Sequence, residues 1–163
     1  MRDDEVPRSD AVAPLPFDLN SYLPYLIHRL GAWTSPRRAL RCANGKVVRL
    51  REWRMLLVIA AHGRLTGADV GYLTGMDSGA TTRAVQALLD DGLIVSQLCT
   101  QDRRRAWLTL TAQGVAVYDE LASQRTAYNE RLLEVLSPAE RTALLASLRH
   151  LQMRAEQLDA GAA

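Results

Sequence analysis

A chain of 163 residues, 48% hydrophobic and 23% charged, is long enough to bury one core and too mixed to be fibrous or wholly disordered. Its formal net charge is only +2, from 20 basic and 18 acidic residues, and its two cysteines are too few for a disulfide framework. No apolar run approaches the roughly 18 to 20 residues of a membrane span and no secretory pattern opens the sequence, so a cytoplasmic protein without a membrane partner is expected.

The first sixteen residues, MRDDEVPRSDAVAPLP, carry three of the six prolines and four acids, and read as a flexible arm, 1–16. Residues 17–48 form an N-terminal helical part. In it Phe17 to Leu30, FDLNSYLPYLIHRL, sets Leu19, Leu23, Leu26, Ile27 and Leu30 at spacings of three and four, which gives one apolar helical face. Pro24 should kink that helix or move its start. From Arg29 to Arg54 there are eight basic residues against one acid, Glu52, a local excess that suits a polyanion.

A polar stretch at Ala43 to Lys46 precedes Leu50 to Ala61, LREWRMLLVIAA, whose apolar residues on several faces predict a central, mostly buried helix closed by Gly63. Thr66 and Asp69 then have capping-box spacing for a short helix that Gly75 can stop. Asp77 or Ser78 can cap the next helix, in which Ala84, Val85, Leu88 and Leu89 face inward. Two helices joined by a tight turn make a helix-turn-helix. After Asp90-Asp91-Gly92 the period changes to two, and Ala106 to Leu110, AWLTL, reads as the partner strand. TQDRRR lies between the strands, so the arginines sit on a hairpin tip beside the second helix, the arrangement of a winged helix.

A long helical pattern follows through Tyr118, Leu121, Tyr128, Leu132 and Leu136. Ser137-Pro138-Ala139-Glu140 supplies the start of a last helix, with Leu144, Leu145, Leu148, Leu151 and Leu158 on its face. The expected fold is mainly α with a small β-hairpin wing: a winged helix-turn-helix over 49–114, an N-terminal helix and C-terminal helices over 115–158 that bury their stripes in a homodimer, and a disordered tail at 159–163.

Within this pattern, EWRMLLVIAAHGRLTGADVGYLTGMD, DDGLI and DRRRAWLTLTAQG resemble the MarR-type transcriptional regulators, over roughly Phe17 to Leu158. The wing pattern D-x-R followed by L-T-x-x-G is carried by Asp102, Arg104, Leu110, Thr111 and Gly114. The resemblance implies a dimer of triangular outline that grips a pseudo-palindromic operator on double-stranded DNA, most simply as a repressor. It also implies an effector cavity, often for aromatic or phenolic acids, for which His28, Trp33, Trp53, Arg54 and Tyr118 are the candidates. The chain has Gly79-Ala80 where the family often has a Ser-Thr pair, which shifts DNA readout to Ser78, Thr81, Thr82, Arg83 or Gln86. It also lacks, in Phe17 to Leu30, the cysteine on which hydroperoxide-sensing members rely.

The chemistry of these residues fits. In a major groove Arg83 reaches guanine O6 and N7 and Gln86 pairs with adenine, while Thr82 meets a phosphate or a thymine methyl. Arg104 enters the narrow minor groove with Asp102 holding its guanidinium, and Arg103 and Arg105 meet phosphates. No HExxH, GxGxxG, phosphate loop or nucleophile elbow is present, so neither an enzyme nor a cofactor or metal is expected. Two alternatives remain: thiol sensing by Cys99 just before the wing, and a winged-helix module that binds an acidic protein without specific DNA recognition.

Overall fold

The structure is a computed structural model that describes residues 18–35, 39–99 and 105–161. Its elements run α1 (Leu23–Thr34), β1 (Leu40–Arg41), β2 (Val47–Val48), α2 (Leu50–His62), β3 (Leu65–Thr66), α3 (Gly67–Thr74), α4 (Ser78–Asp90), β4 (Ile94–Leu98), β5 (Ala106–Leu110), α5 (Ala112–Leu133) and α6 (Pro138–Ala160). Two compact units divide the chain, the first ending at Ala39 and the second starting at Leu40.

In the first unit Pro24 moves the helix start to Leu23 and does not kink the helix. It sits in the first turn of α1, where its missing N–H costs nothing, and the helix runs on to Thr34. Its apolar residues Leu23, Leu26, Ile27, Leu30 and Trp33 are 40 to 64% exposed.

The second unit is built around α2, which packs against α3, α4, α5 and β5. Met55, Leu56 and Ile59 are fully buried, and Val70 of α3, Leu88 of α4, Leu93, Ile94 and Leu121 of α5 close around them. Truncating a Leu or Met in such a centre typically costs about 2 to 5 kcal/mol. The sheet is antiparallel in the order β3-β5-β4, with Thr66 opposite Trp107 and Trp107 opposite Gln97. The two-strand wing read from the sequence is therefore closed by a third strand, Leu65–Thr66, too short to announce itself by alternation. A second short ladder, β1 against β2, flanks the polar stretch Ala43 to Lys46, which forms the turn between its strands. Glu120 of α5 ties it down by accepting from the Ala43 amide at 2.6 Å, and Lys46 pairs with Asp91 at 2.6 Å.

Helix starts follow the side chains. Thr66 caps α3: Asp69 N donates to Thr66 Oγ1 at 3.2 Å, while Thr66 N and Oγ1 donate to Asp69 Oδ2 at 2.9 and 2.7 Å. Those bonds from Thr66 hold the Asp69 carboxyl below the ordinary carboxylate range, with the Arg105 charge adding to them. A lowered carboxyl pKa contributes stability above the ordinary range that is lost as pH falls through the folded-state value. Thr66→Ala is therefore expected to cost about 1 kcal/mol at neutral pH, with a smaller loss in acid, measured by thermal melting at both pH values.

Among the described residues of the second unit, the last two helices leave their apolar stripes uncovered. Beyond Leu121, Tyr128 and Leu132 of α5 are 38% exposed, and Leu144, Leu145, Leu148, Leu151 and Leu158 of α6 are 39 to 57% exposed. No described helix is long and apolar enough to cross a membrane.

Candidate nucleic-acid interface

Helix α4 is positioned by its inward face. Ala80, Thr81, Ala84 and Leu88 are buried, which turns Ser78, Thr82, Arg83 and Gln86 to the outside. Thr81 does not belong with the outward group: its hydroxyl donates to Asp77 O at 2.9 Å, and it packs beneath α3, where a Cβ at Gly71 would stand 3.1 Å from it. The helical period explains the exclusion, since Thr81 lies one residue from Ala80 and three from Ala84, on the buried side.

The outward side chains are held within the helix. Thr82 Oγ1 donates to Ser78 O at 2.8 Å, and Gln86 Nε2 donates to Asp90 Oδ1 at 2.7 Å. Asp77 caps the helix by accepting from the Ala80 amide at 2.7 Å, and its carboxyl is kept low first by that amide and then by Arg83, with Arg51 contributing. A Cβ at position 79 would lie 3.4 Å from Arg83 Nη1 and 3.3 Å from Asp77 Oδ1. The Arg83 guanidinium thus lies near Gly79, beside the cap.

Between the start of α2 and this face of α4 lies a groove of about 440 Å³, with Leu50, Ala80, Ala84 and Ala87 as its floor and Arg49, Arg51 and Arg83 along it. Arg49 is partly neutralised by Glu52, 3.2 Å away. Arg51 belongs to the basic run from Arg29 to Arg54, a local excess of positive charge that suits a polyanion.

On the wing, Asp102, Arg103 and Arg104 lie outside the described residues. Arg105 is exposed at the foot of β5, and its guanidinium lies over the half-buried Trp107 ring, 5.2 Å from the centroid. Arg64, in the connection before β3, lies over the same ring at 4.9 Å. Neither Arg64 nor Trp107 stood out in the sequence, because the contact joins residues 43 positions apart. A hollow of about 480 Å³ lined by Thr66, Asp69, Val85, Ser96 and Arg105 separates the wing from α4.

Of the effector candidates, His28 and Trp33 lie on α1 in the first unit and are exposed. Trp53 and Tyr118, on α2 and α5, are stacked with centroids 5.9 Å apart. Trp53 is only 4% exposed and is a core side chain rather than an open wall, while Arg54 beside it points outward. Cys99 follows β4, and its amide donates to Arg105 O at 2.9 Å. Cys42 is buried, and burial, followed by the Glu120 charge, pushes its thiol up and away from the reactive thiolate.

Residues 48–105 match the MarR family model, and this segment runs from the end of β2 to the foot of β5. The HTH-type transcriptional regulator YwhA of Bacillus subtilis is 28% identical over 97 residues, 60% of this chain and 70% of its own length. A MarR-family transcriptional regulator from Silicibacter pomeroyi superposes with a TM-score of 0.68 at 25% identity, covering 82% of this chain and 90% of that one. BpsR of Bordetella bronchiseptica, whose DNA binding is regulated by 6-hydroxynicotinic acid, superposes with a TM-score of 0.67 at 21% identity, over 79% of this chain and 97% of its own, a likeness of fold. The matched segment encloses the helix-turn-helix and most of the wing described above, and over it the chain is similar to the MarR family of winged helix-turn-helix transcriptional regulators.

Proposed function

We propose that the protein is a repressor that binds an inverted-repeat operator as a homodimer and is released by a small aromatic effector. The observation that carries this reading is the outward face of α4, where Ser78, Thr82, Arg83 and Gln86 stand free of the core beside the arginine-lined groove. Such a face fits a major groove, with Arg83 on guanine and Gln86 on adenine. The wing residues Asp102, Arg103, Arg104 and Arg105 are the proposed minor-groove and phosphate contacts.

The dimer reading is supported by the exposed leucine stripe of α6, which a second copy would cover. Two copies would set their α4 helices about 34 Å apart, one turn of DNA. The effector reading draws on BpsR, whose DNA binding is regulated by the aromatic acid 6-hydroxynicotinic acid. An effector that prefers a dimer with altered α4 spacing would weaken DNA binding by its differential affinity for the two geometries.

The test is selection of the purified protein against fragments of its own genome. Recovery of an inverted repeat with half-sites about one helical turn apart is expected. Recovery of fragments without a shared sequence would overturn the specific-regulator reading and favour the protein-interaction module.

A further inference from the structure

Arginine side chains near a wing are usually mobile, and each loses considerable rotamer freedom when it settles on a phosphate. Two arginines here are already held. Arg64 and Arg105 approach Trp107 from different parts of the chain, one from the connection between α2 and β3, the other from the foot of β5. Register explains the meeting. Trp107 is opposite Thr66 across the ladder, so Arg64, two residues before Thr66, and Arg105, two before Trp107, share its face of the sheet. That face is opposite the one on which Leu65, Leu108 and Ile94 are buried.

A guanidinium held over an aromatic ring by cation–π attraction keeps N–H donors that can still meet a bidentate acceptor such as a phosphate. Among the described residues neither arginine has an ion-pair partner within 4.0 Å. The carboxylate whose field Arg105 feels, Asp69, is occupied in capping α3. Arg105 also borders the hollow between α4 and the wing. If α4 lies in the major groove and the wing in the adjacent minor groove, the DNA strand separating those grooves passes across that hollow.

We propose that Arg64 and Arg105, laid over the Trp107 indole, form a preordered clamp for the phosphates of that strand, with Trp107 as the positioning residue. The proposal rests on the DNA-binding reading above, and it assigns to Arg64 a binding role. Such a clamp is indifferent to base sequence. It adds affinity and fixes the angle of the wing, while α4 and the wing tip supply discrimination.

The experiment measures binding of wild type, Arg64→Ala and Arg64→Lys to a mixed-sequence duplex and to any selected site, by anisotropy over a range of salt concentrations. For Arg64→Ala the expected result is a severalfold loss on both duplexes, with the slope of log affinity against log salt falling by about one per protomer. Arg64→Lys is expected to recover the slope but only part of the affinity, because lysine keeps the charge and loses the planar stack. A purely structural role for the stack would lower the melting temperature of Arg64→Ala and leave the slope unchanged, and that result overturns the clamp. Absence of DNA binding by wild type at low salt would instead overturn the DNA-binding reading, and the clamp with it.

Discussion

Replacing Gly114 by alanine is expected to destabilise the fold by more than about 3 kcal/mol, although alanine inside a helix is normally favoured over glycine by about 1 kcal/mol. The reversal comes from close approach. Gly114 lies in the first turn of α5, and a Cβ there would overlap Leu93 O and stand 2.9 Å from the Leu93 carbonyl carbon, which is backbone and unable to swing aside. Thr111 fixes this contact from both ends: its hydroxyl donates to Gly92 O at 2.7 Å and accepts from the Gly114 amide at 2.9 Å, and its own amide donates to Leu93 O at 3.1 Å. Together these bonds seat α5 on the turn that joins α4 to β4. For a chain of this size the loss should lower the melting temperature by roughly 10 °C, readable by circular dichroism. A change of less than about 1 kcal/mol would mean that the turn can yield and that the close approach is not a constraint.

The second large effect is expected at Arg83. Removing a bidentate arginine–guanine contact typically forfeits about 1 to 3 kcal/mol, so Arg83→Ala should lose roughly ten- to a hundredfold in affinity per half-site. The loss should be concentrated at one base position, so a panel of operator variants would show wild type discriminating there and the variant indifferent. Arg83 is exposed, hence the melting temperature should hardly move. Equal weakening on every sequence would instead make Arg83 a phosphate contact and shift base readout toward Gln86 and Thr82.

Much of this architecture was legible in the chain because its signals are local. Capping residues Thr66, Asp77 and Ser137 mark three helix starts, and the period-two stretch at Ala106 to Leu110 is the observed β5. The L-T-x-x-G pattern was recognisable by resemblance, but its physical reason, the seating of Gly114 on Leu93, required the structure. What was not legible depends on distant partners. Strands of two residues, β1, β2 and β3, have no periodicity to read, and they form because a neighbouring strand or helix supplies their hydrogen bonds. Thr81 shows the limit within the candidate site. It is polar, sits among residues suited to base contact, and yet is turned into the core, where its hydroxyl is satisfied by Asp77 O. The Arg64–Trp107–Arg105 stack was invisible for the opposite reason: each residue looks ordinary alone, and only strand register brings them together.

The central claim is that this winged helix reads DNA sequence. It is tested most directly by the ratio of affinities for the selected inverted repeat and for a scrambled duplex of the same length, measured by anisotropy near physiological salt. A specific regulator is expected to prefer its site by about a thousandfold or more, with Arg104→Ala losing most of its affinity for the site. A ratio near one, with binding that merely fades as salt rises, would contradict the claim.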